Sequence, residues 1–161
     1  MEVIEDSIRM AVDQAGSNPE VIFFRPNAPR PPLPYTSIEF LTQSGEINDW
    51  EEFRSDTEMI HMFGYREFTY TINCYGDNAF DEANQIQGKI RTYSVRQTLM
   101  SLARITIWRM APPRDLSQLI DSSYEKRASF DIVFNVPLED GSTVDDVGYF
   151  DTVTDVTGTI T

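Results

Sequence analysis

Apolar positions along the chain fall into blocks of two kinds, one at helical spacing and one alternating. Val3, Ile4, Ile8, Ala11, Val12 and Ala15 recur every three to four residues, and Gly16, Asn18 and Pro19 then supply a stop, which predicts a helix over residues 3–15. Residues 21–25 read as a short strand. Residues 35–42 alternate, with Ile38 and Phe40 on the apolar face. Two strand-like stretches flank Gly64 between residues 58 and 75, and the second sets Phe68, Tyr70, Ile72 and Cys74 against Glu67, Thr69, Thr71 and Asn73. After Gly76, Phe80, Ala83, Ile86 and Ile90 form a helical stripe, with Asp77 or Asn78 as cap and Lys89 and Arg91 near the end. A short third helix capped by Ser94 carries Val95, Leu99 and Leu102. A strand with Ile105, Ile107 and Met110 follows, ended by Pro112 and Pro113. Phe130, Ile132, Phe134 and Val136 give residues 124–137 the core face of a long strand, with a turn expected at Glu139, Asp140 and Gly141.

Three segments stand outside this alternation. Residues 24–34 hold five of the nine prolines (Pro26, Pro29, Pro31, Pro32 and Pro34). Each proline fixes φ near about −65° and removes a donor, so the segment is predicted to be a rigid extended arm rather than an inner strand. Residues 44–57 are acidic and rich in turn formers, which predicts a solvated loop or hairpin tip. Residues 147–161 are rich in Thr and Val and predict an outer strand or a tail that seeks a partner. No repeat and no linker divides the chain. The expected fold is a single α+β domain over residues 1–161, a twisted, mostly antiparallel sheet packed by two or three helices.

Composition narrows the function. A chain of 161 residues suffices for one self-supporting core. Its 26 acidic against 13 basic side chains leave a formal charge of −13, which argues against general affinity for nucleic acid. Cys74 is the only cysteine, so a disulfide within the chain is impossible and a cytosolic origin is expected. Apolar runs stop at about four residues against the roughly 20 that a membrane span needs. The acidic start, MEVIEDSIRM, lacks the pattern of an export signal.

Candidate chemistry is sparse. His61 and Cys74 are the one possible nucleophile and base pair, but Cys74 falls on an aromatic strand face, where a free cysteine acts as a small apolar side chain. Asp49, Glu51, Glu52, Asp56 and Glu58 could offer oxygen ligands, yet without the spacing of a calcium loop they read as a solvated run. No phosphate-binding glycine loop occurs. The reading is therefore of a protein that is not an enzyme, with no cofactor and no metal, a small enzyme using Cys74 or the acidic loop being the weaker alternative. Trp50 and Phe53 within the acidic run are either packing anchors or subunit contacts. The arm carries P-x-x-P spacings with Arg25 and Arg30, which leaves open an adaptor whose arm binds a partner. Read instead as a spacer lying across a neighbouring copy, the arm makes Arg25, Arg30, Pro31 and Pro32 interface candidates.

The proline arm opening into PYTSIEF, together with RDLSQLIDSSYEKRASFDIVF at residues 114–134 and the order of elements between them, resembles the neck or tail-terminator proteins of tailed bacteriophages. The resemblance implies a structural virion protein at the head–tail neck. Copies would form a hexameric ring that ends the tail tube and joins it to the head connector, with DNA passing through the lumen without specific binding. It implies assembly in the host cytoplasm, no membrane, and no catalytic residues.

Overall fold

In a computed structural model, which describes residues 2–25, 27–55, 59–120 and 123–143, three helices pack on a long, mostly antiparallel sheet. Helix α1 (Glu2–Ala15) buries Ile8, Ala11, Val12 and Ala15 completely. Val3, expected on the same stripe, is 60% exposed, so the buried face begins a turn later. The chain leaves α1 at Gly16, whose N–H donates to Val12 O at 2.8 Å. It enters β1 (Val21–Phe23) and, after the arm, β2 (Tyr35–Arg54). Strand β3 (Met59–Tyr75) returns beside β2. Helices α2 (Ala79–Lys89) and α3 (Tyr93–Ala103) follow. The chain ends, as described, with β4 (Thr106–Met110), β5 (Arg114–Asp115), β6 (Gln118–Ile120), β7 (Ser123–Glu125) and β8 (Arg127–Thr143).

The main sheet runs β1-β2-β3-β8-β4, with β5 also on β8, while β6 and β7 form a separate hairpin. Among the described strands only β1 and β2 pair in parallel. Seventeen consecutive residue pairs join β3 to β8, from Tyr75 opposite Arg127 to Met59 opposite Thr143, without a register break. Cross-strand rows such as Ile38, Ile72 and Phe130 therefore lie on one face. The core is that face plus the helices: Phe68, Tyr70, Ile72 and Cys74 from β3, Phe130, Ile132, Phe134 and Val136 from β8, and Ala83, Ile86, Ile90, Val95 and Leu99 from α2 and α3. The alternation read from the sequence finds both inward rows, because period two commits a strand's whole apolar set to one side.

Several expectations change. The segment expected as an acidic loop is strand as far as Arg54, and the turn expected at residues 139–141 lies inside β8. Both were hidden for physical reasons. Register shifts between Phe40 and Thr42, Ser44 and Glu46, and Ile47 and Trp50 break the alternation of β2, since each bulge moves the following side chains to the other face. Residues 139–141 are held extended by Phe63, Met62 and His61, partners far away in sequence. The stretches flanking Gly64 are one strand, and the strand expected over residues 124–137 is interrupted at Lys126. Helix α3 is capped at Thr92 rather than Ser94, but the Thr92 hydroxyl donates to Lys89 O at 2.7 Å and so serves the end of α2. Phe80 and Leu102 lie 46% and 47% exposed, off the stripes assigned to them. Residues 147–161 lie outside the described residues.

The proline arm has a topological task. Parallel neighbours cannot be joined by a tight turn, because the chain must return the length of the first strand before it can run beside it. Residues 24–34 make that return. They turn where Ala28 N donates to Arg25 O at 3.1 Å, and the strands they connect are tied by Phe24 N to Ile38 O at 2.8 Å and Thr36 N to Glu20 O at 2.9 Å. Gly76 has φ of +122°, and a Cβ there would lie 2.7 Å from Pro34 Cβ, so the end of β3 fits against the arm only as glycine.

Candidate interaction surfaces

Burial decides the role of Cys74. It is fully buried, the Thr36 hydroxyl donates to its sulfur at 3.9 Å, and burial pushes its thiol up to about 12, so a thiolate nucleophile is not formed near neutral pH. His61 sits thirteen residues away on the same strand, roughly 43 Å at the usual rise, so the two cannot act as a pair. His61 also lies between β2 and β8, opposite Glu52 and Gly141, and not at a sheet edge. Among the described residues no three His, Cys, Asp or Glu side chains gather as a metal ion requires.

Past the helices, β2, β3 and β8 continue as a three-stranded projection. Its surface is aromatic as well as acidic. Trp50 stacks on Phe63 with centroids 5.5 Å apart and lies 6.3 Å from Tyr65, and Phe63 stacks in turn with His61 at 6.1 Å. Trp50, Phe53 and Tyr65 nevertheless stay about half exposed, and Glu51 and Glu52 beside them are exposed. Trp50, Phe63 and Tyr65 form one wall of a groove of about 740 Å³, and Met100, Leu102 and Arg104 form the other. The Trp50 ring is thus stacked within the chain while about half of its surface is exposed.

The face of the sheet away from the helices is polar and tightly cross-linked. Thr71 Oγ1 donates to Asp131 Oδ1 at 2.7 Å, and Arg114 donates to the other carboxylate oxygen at 2.9 Å. Arg127 donates to Asn73 Oδ1 at 2.9 Å and lies 5.4 Å from the centroid of Tyr75, whose ring stacks on Tyr35 at 4.6 Å. Glu125 faces Arg30 of the arm at 3.5 Å. Burial raises the Tyr35 hydroxyl above its ordinary range, with Tyr75 adding to the effect.

The arm lies over one end of this face. Arg25, Arg30 and Pro32 are exposed and Pro31 is half-buried. Between arm and sheet runs a groove of about 140 Å³, floored by Tyr35, Ser37 and Tyr75 and flanked by Arg25 and Arg30. The sequence placed Arg25, Arg30, Pro31 and Pro32 together and Trp50 with Phe53 elsewhere. The structure holds the two groups at opposite ends of β2.

One aromatic surface was missed. Tyr93, Met100 and Trp108 are exposed along α3 and β4, Trp108 by 61%. Strand β4 is the last in the sheet order, and Trp108 sits at its register shift, between Ile107 opposite Phe134 and Arg109 opposite Val133. The clue was the spacing of Ile105, Ile107 and Met110, which breaks period two at Trp108 and Arg109, since a bulge on an edge strand turns one side chain outward.

Comparison with known proteins adds a family. The profile of the family described as phage neck terminator protein matches residues 2–161. No curated protein matches the chain. Among solved structures, the sheath/tube terminator of an extracellular contractile injection system, PVC, in its extended state aligns with a TM-score of 0.49 at 10% identity. That alignment covers 100% of this chain and 65% of the terminator, so the chain spans just under two thirds of that protein's length.

Proposed function

The chain belongs to the phage neck terminator family, with a structural, tail-terminating role, and we propose that it performs this role as a closed ring of six copies on the end of the tail tube. One face of the ring meets the tube and the other meets the head connector proteins. The observation that carries this reading is the three-stranded projection. It leaves Trp50, Phe53 and Tyr65 about half exposed, with Trp50 and Tyr65 facing the end of α3 across an open groove. Large aromatics grouped at a surface are characteristic of subunit contacts, and isolated apolar residues are not.

Charge supports the same reading. A ring built from subunits of −13 repels DNA in its lumen, which keeps a moving polymer from adhering. The protein acts by shape, without catalysis or a cofactor, in the neck of the virion and, before that, in the host cytoplasm during assembly. Arg25, Arg30, Pro31 and Pro32 form one side of the contact between copies, and Trp50 and Phe53 the other.

Light scattering on the purified chain, with negative-stain images, tests the ring. The expected result is a closed ring, formed alone or on addition of tail-tube protein. A chain that remains monomeric at high concentration and is recruited by neither tube nor connector protein overturns it.

A further inference from the structure

The groove beneath the proline arm is cationic in a strongly acidic protein. Its lining holds Arg25 and Arg30 and no acidic residue. Among the described residues Arg25 has no ion-pair partner, and Arg30 has only Glu125, at 3.5 Å and with the arginine side chain 70% exposed. Ser37 lines the floor. It is 1% exposed, and its hydroxyl has no hydrogen-bond partner among the described residues. A buried hydroxyl without a partner is costly in a monomer, and two arginines beside it suit a carboxylate.

We propose that this groove is a carboxylate socket filled by one carboxylate, that of Glu51 or Glu52, which point to opposite faces of β2, from the projection of a second copy. The inference rests on the ring reading and specifies its contact. Complementary charge selects the occupant: exposed carboxylates stand at one end of β2, and the arginine-flanked groove at the other. Ser37 and Glu51 are fourteen residues apart on one strand, roughly 40 Å allowing for the bulges, so the two cannot meet within a copy. Joining opposite ends of successive copies is a head-to-tail contact, the kind that closes into a ring. Glu125 holds one arginine until the neighbour's carboxylate arrives.

A labelled peptide of residues 46–55 is the probe, and its anisotropy on titration with the full chain is the readout, which requires no ring. Saturable binding is expected. Arg25→Ala with Arg30→Ala should weaken it by about tenfold or more, and Ser37→Ala by a few-fold with the subunit's melting temperature kept or raised. Glu125→Gln should tighten it by releasing Arg30. In the full chain, Arg25→Glu with Arg30→Glu should abolish assembly, as should Glu51→Lys with Glu52→Lys, and the four changes together should restore it. A peptide that does not bind, or that binds the arginine variant equally well, overturns the socket even if rings form. A short DNA duplex that displaces the peptide at equal concentration reassigns the groove to phosphate and overturns it as well. Peptide binding by a chain that never assembles would leave the socket standing and remove the ring.

Discussion

Tyr70 shows how much one buried polar atom governs. Its ring fills the core between Phe23, Phe40 and Phe134, yet its hydroxyl has no partner among the described residues, and burial pushes it up to about 12. Cys74, on the same face, is pushed to a similar value by burial. Both groups keep their protons in the folded chain at pH values where the unfolded chain has lost them. Their contribution is therefore complete below the unfolded values, 9.0 for the thiol and 10.0 for the phenol, and is lost as pH rises towards about 12. Tyr70→Phe is expected to raise stability by about 1 kcal/mol, since it removes a desolvated hydroxyl that gains nothing in return, and to flatten the alkaline loss. Urea unfolding at neutral pH and above pH 10 checks both. Equal or lower stability in Tyr70→Phe would show that the hydroxyl is satisfied. The sequence placed Tyr70 inward, but nothing in it could show whether the hydroxyl finds a partner there.

At the scale of elements, the junction between α1 and β1 depends on one carboxylate from α2. Glu82 is only 6% exposed and accepts from Ser17 N at 2.6 Å, from Asn18 N at 3.0 Å and from the Ser17 hydroxyl. Gly16 lets the chain approach, because a Cβ there would lie 2.6 Å from Glu82 Oε1. Glu82→Ala strands these donors and is expected to cost about 2–3 kcal/mol, with Glu82→Gln recovering part of it. Denaturant midpoints of the two variants decide this, and a loss below about 0.5 kcal/mol would mean that water replaces the carboxylate. By sequence position Glu82 is one of two acids in the first turn of α2. Helix spans were legible because their periodicity is local, whereas a contact across 65 positions is not. Gly76→Ala belongs to the same scale. Its positive φ and the approach of Pro34 should together cost about 1–3 kcal/mol, measurable by thermal unfolding.

For the whole molecule, the question is what the projection does. If it is a contact between copies, Trp50→Ala with Phe53→Ala should reduce assembly severely while lowering the subunit's melting temperature little, because both rings are half exposed. Scattering and unfolding measured on the same protein compare the two effects. A large drop in melting temperature with assembly intact would make Trp50 an internal anchor through Phe63. Assembly through Arg25 and Arg30 should also weaken between low and high salt, since exposed charges are screened over about 10 Å at 0.1 M.

The chain's periodicities by themselves determined two or three helices, the inward rows of β3 and β8, and the α+β class, because each follows from neighbours two to four positions away. Composition and the lone cysteine discouraged chemistry, and the arm and layout pointed to the family. Only the tertiary structure decided that the acidic segment is strand, since its bulges hide the period and its pairing lies with β3. It alone placed β1 parallel to β2, which explains the arm's length. It also set Arg30 against Glu125 and Ser37 beneath Arg25, contacts between residues whose separation along the chain leaves no local signature.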